Sequence, residues 1–246
     1  MKRAVLDALQ QARSNKRPVA LVTDLETGHA AVHDDGEVVA GSLMLSAPAL
    51  HALESAVQRD RSGRLPEPND HLMVEVFHPP LRLIVVGAVH IAQALAPMAE
   101  IAGYEVTIVD PRRAFASDTR FPRTALRHDW PDEAMRALQP DRRTAVITLT
   151  HDSKLDDPAL TAALASPAFY IGALGSTRTH AKRLQRLAEE GLTDAQLSRI
   201  HGPLGLPLGG RAPAEIAIAA LAQMTQVLHG ADPLEKRPSE GAAPAG

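Results

Sequence analysis

The sequence has no cysteine among its 246 residues. Disulfide bonds, zinc sites of the Cys-X-X-Cys type and iron–sulfur ligation by thiolates are therefore excluded for this chain. A thiol or persulfide carried by the chain itself is excluded for the same reason. Any sulfur chemistry in which this protein takes part needs a second protein.

The sequence also has few aromatic residues, no excess of basic charge and no long apolar run. Aromatic residues make up 3%, and the formal net charge is −3 at pH 7. Nucleic-acid binding is not expected, because it depends on a basic surface and on aromatic rings that stack with bases. No segment approaches the roughly 18 consecutive apolar residues of a membrane span. Asp7, Gln10 and Gln11 interrupt the apolar residues at the start of the chain, so no secretory core forms there and we expect a cytoplasmic protein.

Residues 1–78 have the pattern of a small α+β domain. Helical spacing of apolar residues predicts a short amphipathic helix over residues 2–13 and a second helix at "ALHALESAVQRD". The segments "PVALVTD" and "HLMVEVF" are typical of strands, and "AAVHDDGEVVAG" predicts a hairpin that turns at Asp35-Gly36. The pair Pro79-Pro80 ends this region.

Residues 81–230 have a different pattern, in which strands alternate with helices. Four short apolar runs without period-two alternation, "LRLIVVG", "EVTIVD", "TAVITLT" and "AFYIGALG", predict parallel strands covered on both faces. We therefore predict a Rossmann-like, doubly wound, mostly parallel sheet. The segment 231–246 is predicted to be disordered from its composition.

Local signals predict where several of these helices begin. In "LDDPALTAALAS", Asp157 is predicted to be the N-cap residue and Pro158 the first helical residue. Thr193 and Gln196 fit a capping box. Glu215 lies in the first turn of the last helix, where a capping role is favoured over acid–base chemistry.

The stretch "LIVVGAVHIAQAL" nearly matches a dinucleotide-binding turn. Gly87 follows the first strand, His90 opens a helix and Asp110 ends the next strand, at about 20 residues downstream, the spacing of the dinucleotide fingerprint. Val89 stands where the second glycine is needed for a pyrophosphate to approach the backbone. The turn is thus either a nucleotide-type site or only the first βα unit of a doubly wound domain. His90 and Asp110 are candidates to bind a smaller ligand.

Two later loops follow buried strands at the edge where open α/β folds bind ligands. Thr150, His151 and Asp152 in "TLTHDSKLDD" are candidate ligand contacts, or else the loop only caps the following helix. In "YIGALGSTRTHAKR", the candidates for binding a phosphate or another oxyanion at a helix N-terminus are Gly175, Ser176 and Arg178. A plain turn with an N-cap serine is the alternative.

No metal site is predicted from the histidines. Eleven histidines are present, but no His-Glu-X-X-His motif occurs among them. His29, His33, Asp34 and Asp35 flank the hairpin and are expected to be exposed loop residues.

The chain from about residue 81 to 230 resembles the XdhC/CoxI family of maturation proteins for molybdenum hydroxylases. The resemblance rests on "LIVVGAVHIA", "VTIVDPR", "RFP", "VITLTHD", "YIGALGS" and "HGPLGLPLGGRAPAEIA", which occur in the family's order. It implies a protein that binds the molybdenum cofactor and delivers its sulfurated form to an apo-hydroxylase of the xanthine dehydrogenase or CO dehydrogenase type. A cysteine desulfurase as a second partner and a homo-oligomer are also implied.

The resemblance implies a cofactor-binding chaperone rather than a turnover enzyme, and no catalytic residue is assigned. The phosphate of the pterin would suit the helix start at Gly175, Ser176 and Arg178. Polar pterin edges would meet Asp110, Arg112 in "VTIVDPR" and the loop at residues 150–152. The sequence departs from the family at Val89, where members usually have glycine, and in residues 1–78, where "MLSAPALHALESA" replaces a Gly-Gly-Cys-type segment.

Two other functions stay open. An NAD(P)-binding oxidoreductase is suggested by the βαβ unit and Asp110, although Val89 argues against it. A partner-binding scaffold without cleft chemistry is the third alternative.

Overall fold

A computed structural model describes residues 3–15, 17–34 and 36–230. The chain divides into two compact units, residues 1–79 and 80–246. The turn residue Asp35 and the segment 231–246, for which a turn and disorder were predicted, lie outside the described residues.

The first unit is an antiparallel sheet with a helix on each face. Its elements are α1 (Arg3–Ser14), β1 (Val19–Asp24), β2 (Ala30–Asp34), β3 (Glu37–Gly41), α2 (Ala47–Gln58), β4 (Gly63–Arg64) and β5 (Leu72–Phe77). The strand order is β3-β2-β1-β5-β4, and every pairing is antiparallel. Along β1, Val19 and Leu21 lie in the cluster with α1, and Ala20 and Val22 lie in the cluster with α2. Period-two alternation thus places successive apolar residues of one strand in two separate cores.

One prediction for this unit is wrong. His33 and Asp34 belong to β2 and are buried, with 3% and 9% of their surface exposed, rather than being exposed loop residues. Their segment pairs with both β1 and β3, so hydrogen bonding in the sheet holds it away from solvent. Burial lowers the pKa of His33, because desolvation disfavours the imidazolium form.

The second unit is the predicted doubly wound fold. Its strands are β6 (Leu81–Val86), β7 (Tyr104–Val109), β8 (Ala125–Arg127), β9 (Thr144–Thr148), β10 (Tyr170–Ala173) and β11 (Ile200–His201). Its helices are α3 (His90–Ile101), α4 (Pro131–Leu138), α5 (Ser153–Leu164), α6 (Thr177–Glu189), α7 (Asp194–Leu197) and α8 (Pro213–His229). All six strands are parallel, in the order β11-β10-β9-β6-β7-β8. This is the strand order of the Rossmann fold, and it reverses direction between β6 and β9.

Both faces of this sheet are covered by helices. Leu83 and Val85 of β6 lie in a core cluster with α3 and α8, whereas Ile84 and Val86 lie in a second cluster with α4, α5 and α6. A central strand covered on both sides is apolar at every position. This explains why β6 has a continuous apolar run without alternation.

The predicted start of α5 is wrong by one turn. Asp152, rather than Asp157, is the N-cap residue, and its carboxylate accepts a hydrogen bond from the amide of Lys154 at 3.0 Å. Pro158 therefore lies inside the helix, where it removes one backbone hydrogen bond. The predicted capping box of Thr193 and Gln196 is confirmed. The predicted capping role of Glu215 is also confirmed, because its carboxylate accepts hydrogen bonds from the amides of residues 211 and 212.

Candidate functional site

The candidate site lies where the strand order reverses, at the carboxyl ends of β6 and β9. Gly87 follows β6 with φ of +112°, and Thr150 comes shortly after β9. A Cβ atom built on Gly87 would lie 2.7 Å from Cγ2 of Thr150. Only glycine fits this position, because both the backbone conformation and the space exclude a side chain. The two loops are therefore in contact at the point where open α/β sheets bind ligands.

Asp110 follows β7 and is fully buried beside the same turn. Its Oδ1 accepts from the amide and Nε of Arg112, at 3.0 and 2.8 Å, and its Oδ2 accepts from the amide of Ala88 and Nη2 of Arg112, at 2.9 and 2.8 Å. Burial alone would raise the pKa of Asp110, but these hydrogen bonds outweigh it and the pKa lies below its ordinary value. An ionised carboxylate offers about four acceptor positions. All four are filled from within the chain, so Asp110 supports the turn and a ligand reaches it only by displacing a donor.

Arg120, from the "RFP" segment, ties the loop after β7 to the turn after β6. Its Nη1 donates to the carbonyl oxygens of Ala88 and Phe115, both at 2.7 Å, and its Nη2 donates to Oε1 of Gln93 at 2.8 Å. Sequence reasoning missed this role. The position of Arg120 before Phe121, which is buried, is the one local sign that the segment packs inward.

The loop after β9 is held from within. Thr150 Oγ1 donates to Asp156 Oδ1 at 2.6 Å and accepts from the amide of Asp152 at 3.1 Å. His151, between them, is exposed and has φ of +61°. Of the predicted contacts in this loop, Thr150 and Asp152 therefore have internal partners, and the side chain of His151 extends from a strained backbone.

The loop after β10 leads into the N-terminus of α6. Ser176 is the N-cap, and its Oγ accepts the amide of Thr179 at 3.1 Å. Within the described chain, the amides of Thr177 and Arg178 donate to no acceptor, and the exposed Arg178 side chain has no hydrogen bond or ion pair. Unpaired amides at a helix N-terminus and a guanidinium are donors that suit an anion.

A buried ion pair connects the last two loops. Asp156 of α5 accepts the hydrogen bond from Thr150, and Arg183 of α6 donates from Nη2 to the carbonyl oxygen of Leu174 at 2.8 Å. Asp156 Oδ2 and Arg183 Nη2 lie 3.7 Å apart, with both side chains 2% exposed. Burial raises the pKa of Asp156, against the opposing hydrogen bond from Thr150 and the charge of Arg183. Sequence reasoning missed Arg183, although it lies four residues before buried Leu187 and hence on the inward face of α6.

Neither a metal centre nor a membrane-spanning helix occurs in the described residues. Within residues 3–15, 17–34 and 36–230, no group of three or more histidine and acidic side chains is arranged to hold a metal ion. No helix in that part of the chain has the length and apolar character needed to span a bilayer.

Comparisons with known proteins agree with this fold. Residues 83–224 match the family model of the XdhC Rossmann domain. The molybdenum cofactor insertion chaperone PaoD of Escherichia coli K12 is 36% identical over 151 residues, which cover 61% of this chain and 41% of PaoD. A probable xanthine dehydrogenase subunit of Bacillus subtilis 168 is 28% identical over 157 residues, which cover 63% of this chain and 46% of that protein.

A solved structure is also similar. The crystal structure of a xanthine dehydrogenase from Bacillus halodurans has a TM-score of 0.73 at 22% identity, over 93% of this chain and 68% of that one. This likeness supports the fold. The chain spans less than half the length of the two curated relatives described above. Because the family model matches more than half of the chain, the resemblance seen in the sequence is confirmed, and the chain belongs to the XdhC family.

Proposed function

We propose that this protein binds the molybdenum cofactor and delivers its sulfurated form to an apo molybdenum hydroxylase of the xanthine dehydrogenase or CO dehydrogenase type. A cysteine desulfurase is the proposed sulfur donor, because this chain has no cysteine to carry a persulfide. The name of the relative PaoD supports the cofactor-insertion part of the proposal. Self-association and a cytoplasmic location stay predictions.

The observation that carries the proposal is the distribution of free donors in the candidate site. The exposed side chains of His90, His151 and Arg178 and the free amides of α6 lie along the carboxyl edge of one sheet. The carboxylates of Asp110, Asp152 and Asp156 accept hydrogen bonds from within the chain. Exposed hydrogen-bond donors suit an anionic cargo, and the pterin carries a phosphate. We propose that this phosphate binds at the start of α6, beside Gly175, Ser176 and Arg178.

The dinucleotide alternative is less well supported. An acidic residue at the position of Asp110 serves NAD-dependent enzymes by accepting a hydrogen bond from a ribose hydroxyl. Here both oxygens of Asp110 already accept two hydrogen bonds each. Val89, the N-cap residue of α3, has a side chain where the pyrophosphate would approach.

The test is the cofactor content of protein purified anaerobically from cells that make the cofactor. We expect molybdenum and oxidised pterin fluorescence to co-purify with the wild type, and Arg178→Ala to weaken retention by about tenfold, which corresponds to ~1.4 kcal/mol. Lys182→Ala is the matched control, because Lys182 is an exposed cation one turn further along α6. Background loading of the wild type would refute the proposal. Equal loss of cofactor retention in the two variants would contradict phosphate binding at the start of α6.

A further inference from the structure

Phe115 is an exposed phenylalanine in a chain that has four phenylalanines, two tyrosines and one tryptophan. Its residue surface is 43% exposed. It lies in the loop after β7, at the same edge of the sheet as the candidate site. Single exposed apolar residues are common on protein surfaces, so the way in which this ring is held decides whether it has a role.

The ring of Phe115 is held by a chain of contacts that begins in the core. The guanidinium carbon of Arg112 lies 4.5 Å from the ring centroid. Arg112 in turn makes two hydrogen bonds with the buried carboxylate of Asp110. A cation held over an aromatic face attracts it electrostatically. Burial of Asp110 therefore fixes Arg112, and Arg112 fixes one contact of the exposed ring.

The backbone of Phe115 is tied to the turn after β6. One nitrogen of Arg120 bonds the carbonyl oxygens of both Phe115 and Ala88. Phe115 therefore lies beside the position at which dinucleotide-binding proteins hold a phosphate. At that position this chain has Val89, which is extended, half-buried and packed against the core. Val89 and Phe115 thus add apolar and aromatic surface beside the turn.

We propose that Phe115 and the turn at residues 87–89 form a binding surface for a planar heteroaromatic ring. The proposal rests on the function proposed above and names the part of the cargo that binds here, the pterin ring, while its phosphate binds at α6. In nucleic-acid-binding proteins, aromatic side chains bind bases by stacking, and this stacking tolerates different bases. Because its contacts hold the ring in place before the ligand arrives, little ordering cost opposes stacking.

The test is a titration of the full chain with 6-carboxypterin, followed by its fluorescence, in wild type and three variants. Phe115→Leu keeps apolar volume but removes the ring, and we expect about tenfold weaker binding. Phe115→Tyr keeps the ring and should bind within about twofold of wild type. Ile101→Ala is the control, because Ile101 is 89% exposed at the opposite end of α3. Circular dichroism checks that each variant is folded.

Equal affinity of Phe115→Leu and wild type, or no binding of 6-carboxypterin by wild type, would overturn the ring site. Cofactor loading in cells would still stand in that case, so the two proposals fail separately. Cytidine monophosphate serves as a second probe. If it competes with 6-carboxypterin and also depends on Phe115, the surface accepts nucleobases as well as pterins. Phe115-dependent binding of cytidine monophosphate without pterin binding would refute the assignment of the ring to the pterin.

Discussion

His151 combines an exposed side chain with a left-handed backbone, at φ of +61°. Such a conformation costs a residue with a side chain roughly 1–2 kcal/mol. The hydrogen bonds of Thr150 and Asp152 on either side impose it. A strained residue at the carboxyl edge of a parallel sheet is a candidate for function, because nothing in the packing of an exposed side chain offsets the strain.

Substitution at residue 151 separates the backbone from the side chain. We expect His151→Gly to be more stable than His151→Ala by about 1 kcal/mol, because glycine adopts positive φ without strain. If the imidazole binds the cofactor, both variants should lose cofactor retention to the same extent. Urea unfolding gives the first comparison, and pterin content gives the second. Equal stabilities would show that the loop relaxes in solution, and full retention in both variants would remove His151 from the site.

At the scale of elements, two ion pairs connect α5 with α6 in different ways. Asp157 is buried, whereas the side chain of Arg186 is 42% exposed, and two hydrogen bonds of 2.8 and 3.0 Å join them. Asp156 and Arg183 are buried, and through Thr150 and the carbonyl of Leu174 they also hold the loops after β9 and β10. The first pair therefore joins helices, whereas the second pair also positions the two loops of the site.

Removing each arginine distinguishes these roles. Arg183→Met should destabilise the fold by about 3–5 kcal/mol, because it leaves a buried carboxylate unpaired, and should speed amide hydrogen exchange at residues 149–152 and 174–176. Arg186→Met should cost less than Arg183→Met, because the side chain of Arg186 is 42% exposed rather than buried, and should leave exchange in those loops unchanged. Mass spectrometry of exchanged peptides is the measurement. Identical exchange patterns in the two variants would show that the buried pair does not stabilise these loops more than the Asp157–Arg186 pair does.

If Arg183→Met is too unstable to purify, Asp156→Asn replaces it in the same experiment. An amide oxygen still accepts from Thr150, but the attraction to Arg183 is reduced. Faster exchange confined to residues 174–176 is then expected. Slow exchange there would contradict the role of the pair.

How well each element could be predicted from the sequence depended on its length and burial. Apolar runs such as β6 and β9 were identified because burial on both faces leaves a strong pattern. β8 and β11, with three and two residues, are too short to leave one. The start of α5 was misplaced because the local sequence makes both Asp152 and Asp157 suitable N-cap residues. In the structure Asp157 instead accepts a hydrogen bond from Arg186 of α6, a tertiary contact that the local sequence does not reveal.

The placement of the loops after β6, β9 and β10 at one edge of the sheet was predicted, and the strand order confirms it. The hydrogen bonds and ion pairs that hold these loops were not predicted. Arg120 and Arg183 act through partners 32 and 9 residues away, and no local pattern encodes such pairings. Whether a polar side chain faces a ligand or a neighbouring loop is decided by these pairings.

At the scale of the whole molecule, residues 80–246 form a unit with core clusters of their own on both faces of the sheet. Residues 83–224 of this unit carry the family match. The unit thus contains both the buried apolar surface and the candidate site. We expect the stability of this unit and its ligand affinity not to depend on residues 1–79.

A chain of residues 80–230 is therefore expected to fold on its own. We expect a cooperative thermal transition by circular dichroism and an affinity for 6-carboxypterin within about threefold of the full chain, a change below about 1 kcal/mol. The matched comparison is the full chain under the same conditions. A non-cooperative transition would show that the first unit is needed for folding. Lost affinity in a folded fragment would place part of the site outside it.

The filled carboxylate of Asp110 has a consequence for any conversion of this site to nucleotide binding. Glycine at position 89 would open the turn to a pyrophosphate, but Arg112 would still occupy the carboxylate that a ribose needs. Removing Arg112 first would leave a buried carboxylate without its cation, which is costly. Neither single substitution is therefore expected to create a dinucleotide site. Two residues that bind each other can in this way make a change of ligand depend on a double substitution.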